Sequence, residues 1–208
     1  MVMKVLFVEA RKKPKSQKIT TLKNLPKKIH LLYTIQYKEI AKKIRQQLKK
    51  QGHKIVAFQQ VLGCSKIKAK APLLLIGSGR FHAIQLALST KKQIFILDHN
   101  ILTQIPEKEL KKQEAIEKYK ILQFLNSENI GLLVSLKPGQ NNLHLTNKVK
   151  ENLQKKFPNK NFYIFLSDNI DVREAENFPC FFINFACPGI QLDSKKIINY
   201  QKILKIKK

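Results

Sequence analysis

The sequence predicts an α/β protein with two similar parallel-sheet domains, each with flanking helices. Two observations support this fold class. Apolar runs alternate with amphipathic segments, and the runs are apolar at consecutive positions, as expected for parallel strands buried on both faces. The order strand, helix, strand, helical piece, strand also occurs twice, which indicates a weak internal repeat of structure. We therefore place one domain at 27–126 and a second at 127–208.

The first domain is defined by its apolar runs and by one clear amphipathic helix. Ile40, Ile44 and Leu48 recur at four-residue spacing, which predicts a helix that ends at Gly52. The predicted elements are, in order, a strand centred on 30–35, a helix at 37–52, strands at 54–58 and 71–77, a short helix after GSGR, a strand at 92–98 and a helix at 104–126.

The second domain follows the same plan. Leu143, Val149 and Leu153 lie on one side of a predicted helix. The last apolar run, FPCFFINF, ends at a Cys-Pro-Gly turn. The predicted elements are, in order, a strand at 130–136, a helix at 143–156, a strand at 161–168, a short polar helical piece and a strand within 178–185.

The segment 1–26 fits neither domain. VLFVEA, at 5–10, predicts a short apolar strand, and the lysine-rich stretch after it carries two prolines and is typical of a linker. A strand that is apolar on both faces cannot bury itself alone. It either adds to the sheet of the first domain or is the last strand of a domain that this chain lacks, and the long linker favours the second interpretation.

Basic residues dominate the composition. The 208 residues include 40 Lys and Arg against 14 Asp and Glu, a net charge of +26, and arginine occurs only four times. Specific nucleic-acid readers favour arginine, and the lysine excess fits a solvated surface or an A+T-rich coding bias at least as well. The positive field is still expected to attract acidic partners such as RNA or a ribosome-bound factor. No apolar run approaches the ~20 residues of a membrane span. The first apolar run precedes its basic residues, the reverse of a signal peptide, so we expect a cytoplasmic protein with no membrane partner.

Two glycine-containing turns follow predicted strands, at the edge where open α/β sheets bind ligands. The first, GSGRFH, opens a helix, where backbone amides and a fixed cation suit an anion. A tight turn without a ligand explains its glycines equally well. Its candidate residues are Gly77, Ser78, Gly79, Arg80 and His82.

The second turn, SLKPGQ, ends the equivalent strand of the second domain. Lys137, the Gly139 amide and Gln140 are suited to hold a carboxylate or phosphate, with Ser135 at the strand end. A plain Pro-Gly turn before a helix is the alternative, and it is favoured for this segment taken alone.

The three cysteines differ in their surroundings. An odd number, without a C-x-x-C pair or a Cys/His cluster, argues against a disulfide framework and a structural zinc site. Cys64 and Cys187 each follow a predicted strand, so a role in metal binding or catalysis is open for both. Cys180 lies between apolar neighbours and is expected in the core.

Five segments together resemble the diphthamide-synthesis enzymes, the 3-amino-3-carboxypropyl-histidine synthases. The segments are TIQY (34–37), VLGC (61–64), GSGRFH (77–82), KPGQ (137–140) and FACP (185–188), in the family's order. The resemblance implies a central [4Fe-4S] cluster held by one cysteine from each of three α/β domains, with S-adenosylmethionine at the open iron. It also implies reductive cleavage that releases an aminocarboxypropyl radical, which adds to a histidine of translation elongation factor two.

By this resemblance Cys64 and Cys187 are cluster ligands, and GSGRFH and KPGQ bind S-adenosylmethionine. The chain departs from the family in three ways. The first domain and its cysteine are missing, Gly189 stands where an arginine is common, and Asn141 and Asn142 replace basic residues. We therefore expect the C-terminal half of a split transferase, active with a second polypeptide that supplies the missing domain and third cysteine, with a dimer also open.

Two other classes of function stay open. The chain is alternatively a non-catalytic supporting subunit of such an enzyme, for which both cysteines are dispensable. It is otherwise a basic RNA- or ribosome-binding protein on a borrowed scaffold, which predicts strongly salt-dependent RNA binding. The retained GSGRFH and KPGQ segments weigh against the last class.

Overall fold

The computed structural model describes residues 8, 12, 22, 25–62, 65 and 67–206. The chain divides into two compact units, Met1–Lys111 and Lys112–Lys208. The predicted strand at 5–10, apart from Val8, most of the predicted linker, and Cys64 lie outside the described residues. The boundary between the units falls inside a long helix, whereas the sequence analysis placed it after that helix.

Unit 1 is built on one mixed sheet with the strand order β2-β1-β3-β4-β5, in which β5 alone is antiparallel to its neighbour. Its elements are β1 (Lys28–Tyr33), α1 (Lys38–Lys50), β2 (Lys54–Gln60), β3 (Leu73–Ile76), α2 (Arg80–Thr90), β4 (Ile94–Asp98), β5 (Ile101–Gln104) and the start of α3 (Glu107–Asn126).

The three central strands of the unit 1 sheet, β1, β3 and β4, are buried on both faces. Neighbouring residues of one strand point to opposite sides, so they pack in different clusters. Leu31 of β1 packs in the cluster that contains Ile44 of α1, and the next residue, Leu32, packs in the cluster that contains Leu86 of α2. Leu22, within the predicted linker, is fully buried in the first of these clusters. Consecutive apolar residues in the sequence therefore do mark two-sided strands here.

Unit 2 repeats this plan in a fully parallel sheet with the order β7-β6-β8-β9. In both units the first strand lies between the second and the third, and the fourth follows the third. Its elements, after most of α3, are β6 (Asn129–Ser135), α4 (Leu143–Lys156), β7 (Asn161–Ser167), α5 (Val172–Glu176), β8 (Phe181–Asn184), β9 (Ile197–Asn199) and α6 (Tyr200–Ile203).

The predicted fold class is confirmed, and every predicted helix and strand within the described residues is present. Among the described residues, the short strands β5 and β9 and the short α-helix α6 were missed. They are only three or four residues long, too short for a hydrophobic period to be visible. Within the described part of the chain, no helix combines the length and apolarity that crossing a membrane requires.

His30 of β1 makes unit 1 sensitive to acid. The side chain is buried, and burial lowers its pKa by penalising the charged imidazolium. The unfolded chain therefore binds a proton at His30 more readily than the folded chain does. The contribution of neutral His30 to folding stability is present above the usual pKa of about 6.5 and is lost as the pH falls below it.

We therefore expect the melting temperature to fall between about pH 7.5 and about pH 5.5, and His30→Gln to reduce that fall. Circular dichroism at the two pH values measures the effect. His144→Gln, at an exposed position, is the matched control. An equal fall in wild type and His30→Gln contradicts the prediction.

Candidate functional site

Two of the sequence motifs meet at the carboxyl edge of the unit 1 sheet. Thr34 follows β1 and Gly77 follows β3, and these strands are neighbours. The Thr34 amide donates a hydrogen bond to the Ile76 carbonyl at 3.2 Å. A Cβ atom at Gly77 would lie only 2.9 Å from Thr34 Oγ1. The structure thus packs TIQY against GSGRFH, and only glycine fits at position 77.

The glycine-rich turn leaves the N-terminus of α2 open to a ligand. Gly79 is the capping residue, with a φ of 108°, and no side chain accepts a hydrogen bond from the first turn. Ser78, Gly79 and Arg80 are exposed. Amide groups at an uncapped helix N-terminus bind anions such as carboxylates. This turn can therefore hold the carboxylate of an amino acid.

His82 supports the turn as a neutral ring. Its Nδ1 atom is buried and has no hydrogen-bond partner among the described residues, and burial lowers the pKa of the imidazole. A Cβ atom at Gly79 would lie 3.2 Å from this nitrogen. The ring also makes an edge contact with Phe81, with the centroids 5.2 Å apart. His82 therefore packs against the turn and adds no charge at neutral pH.

Arg80 is engaged by Glu109 in the first turn of α3. Its Nε atom donates to Glu109 Oε1 at 3.0 Å, and Nη2 donates to Oε2. This pair raises the pKa of Arg80. From the sequence, Arg80 was expected to be a fixed cation for a bound anion, whereas in the structure its guanidinium group ties α2 to α3 within unit 1.

Sequence reasoning missed a chain of polar side chains at the same edge. The Tyr37 hydroxyl accepts a hydrogen bond from Lys12 Nζ at 2.7 Å and donates to Asp98 Oδ1 at 3.0 Å. His99 Nδ1 lies 2.8 Å from the same carboxylate oxygen. This chain joins the segment after β1 to the end of β4, across β3. Asp98 at the end of an apolar strand was the available signal.

The KPGQ turn lies at the carboxyl edge of the unit 2 sheet, directly after β6. Ser135 is buried, and its hydroxyl donates to the Asp168 carbonyl and accepts from the Lys137 amide, both at 3.2 Å. The Gln140 amide donates to the Lys137 carbonyl at 3.0 Å and closes the turn. Ser135 therefore holds the turn in place, and the exposed Lys137 and Gly139 remain available to a ligand.

Asn142 joins the KPGQ turn to the FACP segment. Its side-chain amide donates to the Gln140 carbonyl at 3.3 Å and to the Phe185 carbonyl at 2.7 Å. The two segments follow β6 and β8, which pair directly. Asn142, which in the sequence was only a departure from the family, therefore connects two motifs by hydrogen bonds.

Cys187 and Cys180 lie at opposite ends of β8. Cys187 follows the strand, is exposed, and precedes a 3-10 helix at Pro188–Leu192. Cys180 precedes the strand and packs against the cluster of Leu133 and Phe182, where burial raises the pKa of its thiol. Only Cys187 is therefore at the edge that carries the KPGQ turn.

Unit 2 offers one soft ligand to a metal group. An exposed thiol on an ordered turn suits iron, since thiolates hold iron–sulfur clusters. Within the residues that the structure describes, no group of three or more His, Cys, Asp or Glu side chains could hold a metal ion. The donor set therefore fits a cluster that takes one thiolate from this unit.

Two curated relatives are named 2-(3-amino-3-carboxypropyl)histidine synthase. The protein from Pyrococcus horikoshii is 28% identical over 206 residues, covering 91% of this chain and 57% of the relative. The protein from Methanocaldococcus jannaschii is 28% identical over 174 residues, covering 80% of this chain and 46% of the relative. The chain thus spans about half the length of these relatives.

Solved structures have the same fold. The crystal structure of Dph2 from Pyrococcus horikoshii matches with a TM-score of 0.77 and 23% identity, over 91% of this chain and 61% of the other. The structure of that protein with a 4Fe-4S cluster matches with a TM-score of 0.75 and 24% identity, over 89% and 58%. The family described as putative diphthamide synthesis protein matches residues 2–204, and the chain belongs to that family.

Proposed function

We propose that this chain is part of an enzyme of diphthamide biosynthesis. The enzyme transfers the 3-amino-3-carboxypropyl group from S-adenosylmethionine to a histidine of translation elongation factor two in the cytoplasm. The observation that carries the proposal is the exposed Cys187 thiol, which lies at the same sheet edge as the KPGQ turn in a chain that matches the family over residues 2–204. The names of the curated relatives support the same reaction.

Cys187 and Cys64 are the residues that would bind a [4Fe-4S] cluster. Such a cluster, reduced by an external electron donor, would supply the one-electron chemistry that cleaves the sulfonium and releases the transferred group as a radical. The solved relative that carries a 4Fe-4S cluster supports this cofactor. Cys64 lies outside the described residues, so its assignment rests on the VLGC motif.

The two turns bind and orient S-adenosylmethionine. The uncapped N-terminus of α2 favours the methionine carboxylate, with Gly77 and Gly79 allowing close approach of the backbone. In unit 2, Lys137 and the Gly139 amide, in the turn that Ser135 holds in place, are suited to a carboxylate by their own chemistry. Arg80 acts through Glu109, by fixing the start of α2.

A second polypeptide supplies the rest of the enzyme in this proposal, including a third cysteine ligand. The chain spans 57% of the length of its curated relative, so the rest of such an enzyme has to come from outside these 208 residues. A homodimer would instead unite two copies of Cys64 and Cys187. The net charge of +26 favours an acidic surface on the second polypeptide.

Anaerobic isolation of the tagged chain from its native source tests the proposal. We expect iron and sulfide to be recovered together with a small cysteine-bearing partner, and the isolated complex to modify the elongation factor when given a reductant. A chain that alone holds a stoichiometric cluster and cleaves S-adenosylmethionine would contradict the second polypeptide. Full modification with both cysteines replaced would favour a supporting subunit, and tight RNA binding without any iron would favour the RNA-binding alternative.

A further inference from the structure

The loop that carries Cys187 is held by buried side-chain amides. Asn184, at the end of β8, is only 1% exposed, although it lies in an otherwise apolar strand. Its Nδ2 atom donates to the Cys187 carbonyl at 2.8 Å and to Asn199 Oδ1 at 2.7 Å. Its Oδ1 atom accepts from the Ala186 amide at 2.9 Å. Every hydrogen of this amide is therefore used, and two of its three bonds go to the loop.

Asn199 and Gln191 continue the same network. Asn199 pairs with Asn184 across β8 and β9, and its Nδ2 atom donates to the Pro188 carbonyl at 3.0 Å. Its backbone amide donates to Gln191 Oε1 at 3.1 Å. Both side chains are almost fully buried, with 4% and 2% exposed. The bonds thus reach the loop at Pro188 and Gln191, just after Cys187.

Lys120 adds a further hydrogen bond to the loop from a separate helix. Its side chain is buried, and Nζ donates to the Gln191 carbonyl. Burial lowers the pKa of this ammonium group. A buried lysine with a main-chain partner fixes the far end of the loop against α3.

The network has a cost that a purely apolar packing would avoid. A buried side-chain amide destabilises the fold unless all its hydrogen-bonding groups have partners. β-Branched apolar residues at the ends of two parallel strands would not need such partners. Main-chain carbonyls of Cys187, Pro188 and Gln191 accept these bonds, and all three lie in the loop. The polar side chains therefore serve the loop rather than the sheet.

We propose that Asn184 and Asn199 are positioning residues that fix the Cys187 thiol for binding to iron. This role rests on the proposed function for the identity of the ligand, but the restraint of the loop is independent of it. Groups that orient a metal ligand change metal affinity by about 10–100-fold when they are replaced. The sequence did not indicate this role for Asn184 and Asn199, because it depends on hydrogen bonds that only the folded structure shows.

Asn184→Asp tests the network with almost no change in size. The carboxylate still accepts from the Ala186 amide but no longer donates to the Cys187 carbonyl or to Asn199. Asn199→Asp removes the bond to the Pro188 carbonyl and serves as the second variant. The matched control is Asn161→Asp, which breaks an exposed Asn161–Asn129 side-chain bond in the same sheet.

Hydrogen exchange of the iron-free chain, measured by NMR, is the first readout. The Ile190 and Asn199 amides are expected to exchange at least ~10-fold faster in Asn184→Asp, because their acceptors lie in the loosened loop. The Leu132 amide in the sheet core is expected to stay within about twofold of wild type, and Asn161→Asp is expected to change none of them. A uniform acceleration of all amides would overturn the proposal, since it would show a general loss of stability.

Iron release to a chelator, measured on the anaerobically isolated complex, is the second readout. We expect release to be about 10–100-fold faster in both network variants than in Asn161→Asp. Unchanged exchange in the loop, or a loosened loop with unchanged iron release, overturns the positioning role. If Cys187→Ala itself leaves iron release unchanged, the proposed ligand is wrong, while the exchange data still decide whether the network restrains the loop.

Discussion

Replacing Cys187 with alanine is expected to lower the iron retained by the anaerobically isolated complex by at least ~10-fold and to abolish modification of the elongation factor. A ligand contributes more than the groups that orient it, and those already account for about 10–100-fold in metal affinity. Because the side chain is exposed, the substitution should leave the melting temperature unchanged. Iron and sulfide analysis, together with circular dichroism, checks both parts.

Cys180→Ala is the matched control for this change. Cys180 lies at the amino end of the same strand, β8, and packs against an apolar cluster, so its loss should leave iron content at the wild-type level. Cys64→Ala should behave as Cys187→Ala does. Equal iron in Cys187→Ala and Cys180→Ala would show that Cys187 is not a ligand.

Replacing Gly79 with alanine is expected to weaken S-adenosylmethionine binding by about tenfold or more. A side chain is strained at a φ of 108°, and its Cβ would lie 3.2 Å from His82 Nδ1. The turn must shift to relieve the strain, which moves the amides of the α2 N-terminus away from the ligand carboxylate. Titration calorimetry with S-adenosylmethionine measures the loss.

Gly52→Ala separates this effect from a general loss of stability. Gly52 also has a positive φ, of 84°, but it follows α1 and has nothing within 4 Å of its Cβ position. Both variants should lose about 1–3 kcal/mol of folding free energy from backbone strain. Only Gly79→Ala should lose affinity, so equal affinities in the two variants would remove the glycine-rich turn from the binding site.

Much of the fold could be predicted because the signals that define it are local. The spacing of Ile40, Ile44 and Leu48 predicts α1, and the uninterrupted run of β3 predicts a strand buried on both faces. The short strands β5 and β9 carry no comparable signal. Their positions follow from pairing with β4 and β8, which is a property of the folded sheet.

In the candidate site, too, the local features could be predicted and the long-range contacts could not. Motif positions predicted that GSGRFH, KPGQ and Cys187 follow strands, and each does. The partners of these residues could not be predicted, because they come from distant parts of the chain. Arg80 meets Glu109 across 29 residues, and Asn142 meets the Phe185 carbonyl across 43. Because of these contacts, Arg80 is interpreted as holding α2 against α3 and Asn142 as joining the KPGQ turn to the FACP segment.

The sequence by itself determined the longer strands and helices, the family resemblance and the edge of each sheet at which the motifs lie. These features depend on hydrophobic period, turn residues and the rule that the carboxyl ends of parallel strands face one edge. Only the tertiary structure decided which polar groups satisfy one another. The bond between Asn184 and Asn199, across β8 and β9, depends on strand pairing, and strand pairing depends on burial in the whole unit.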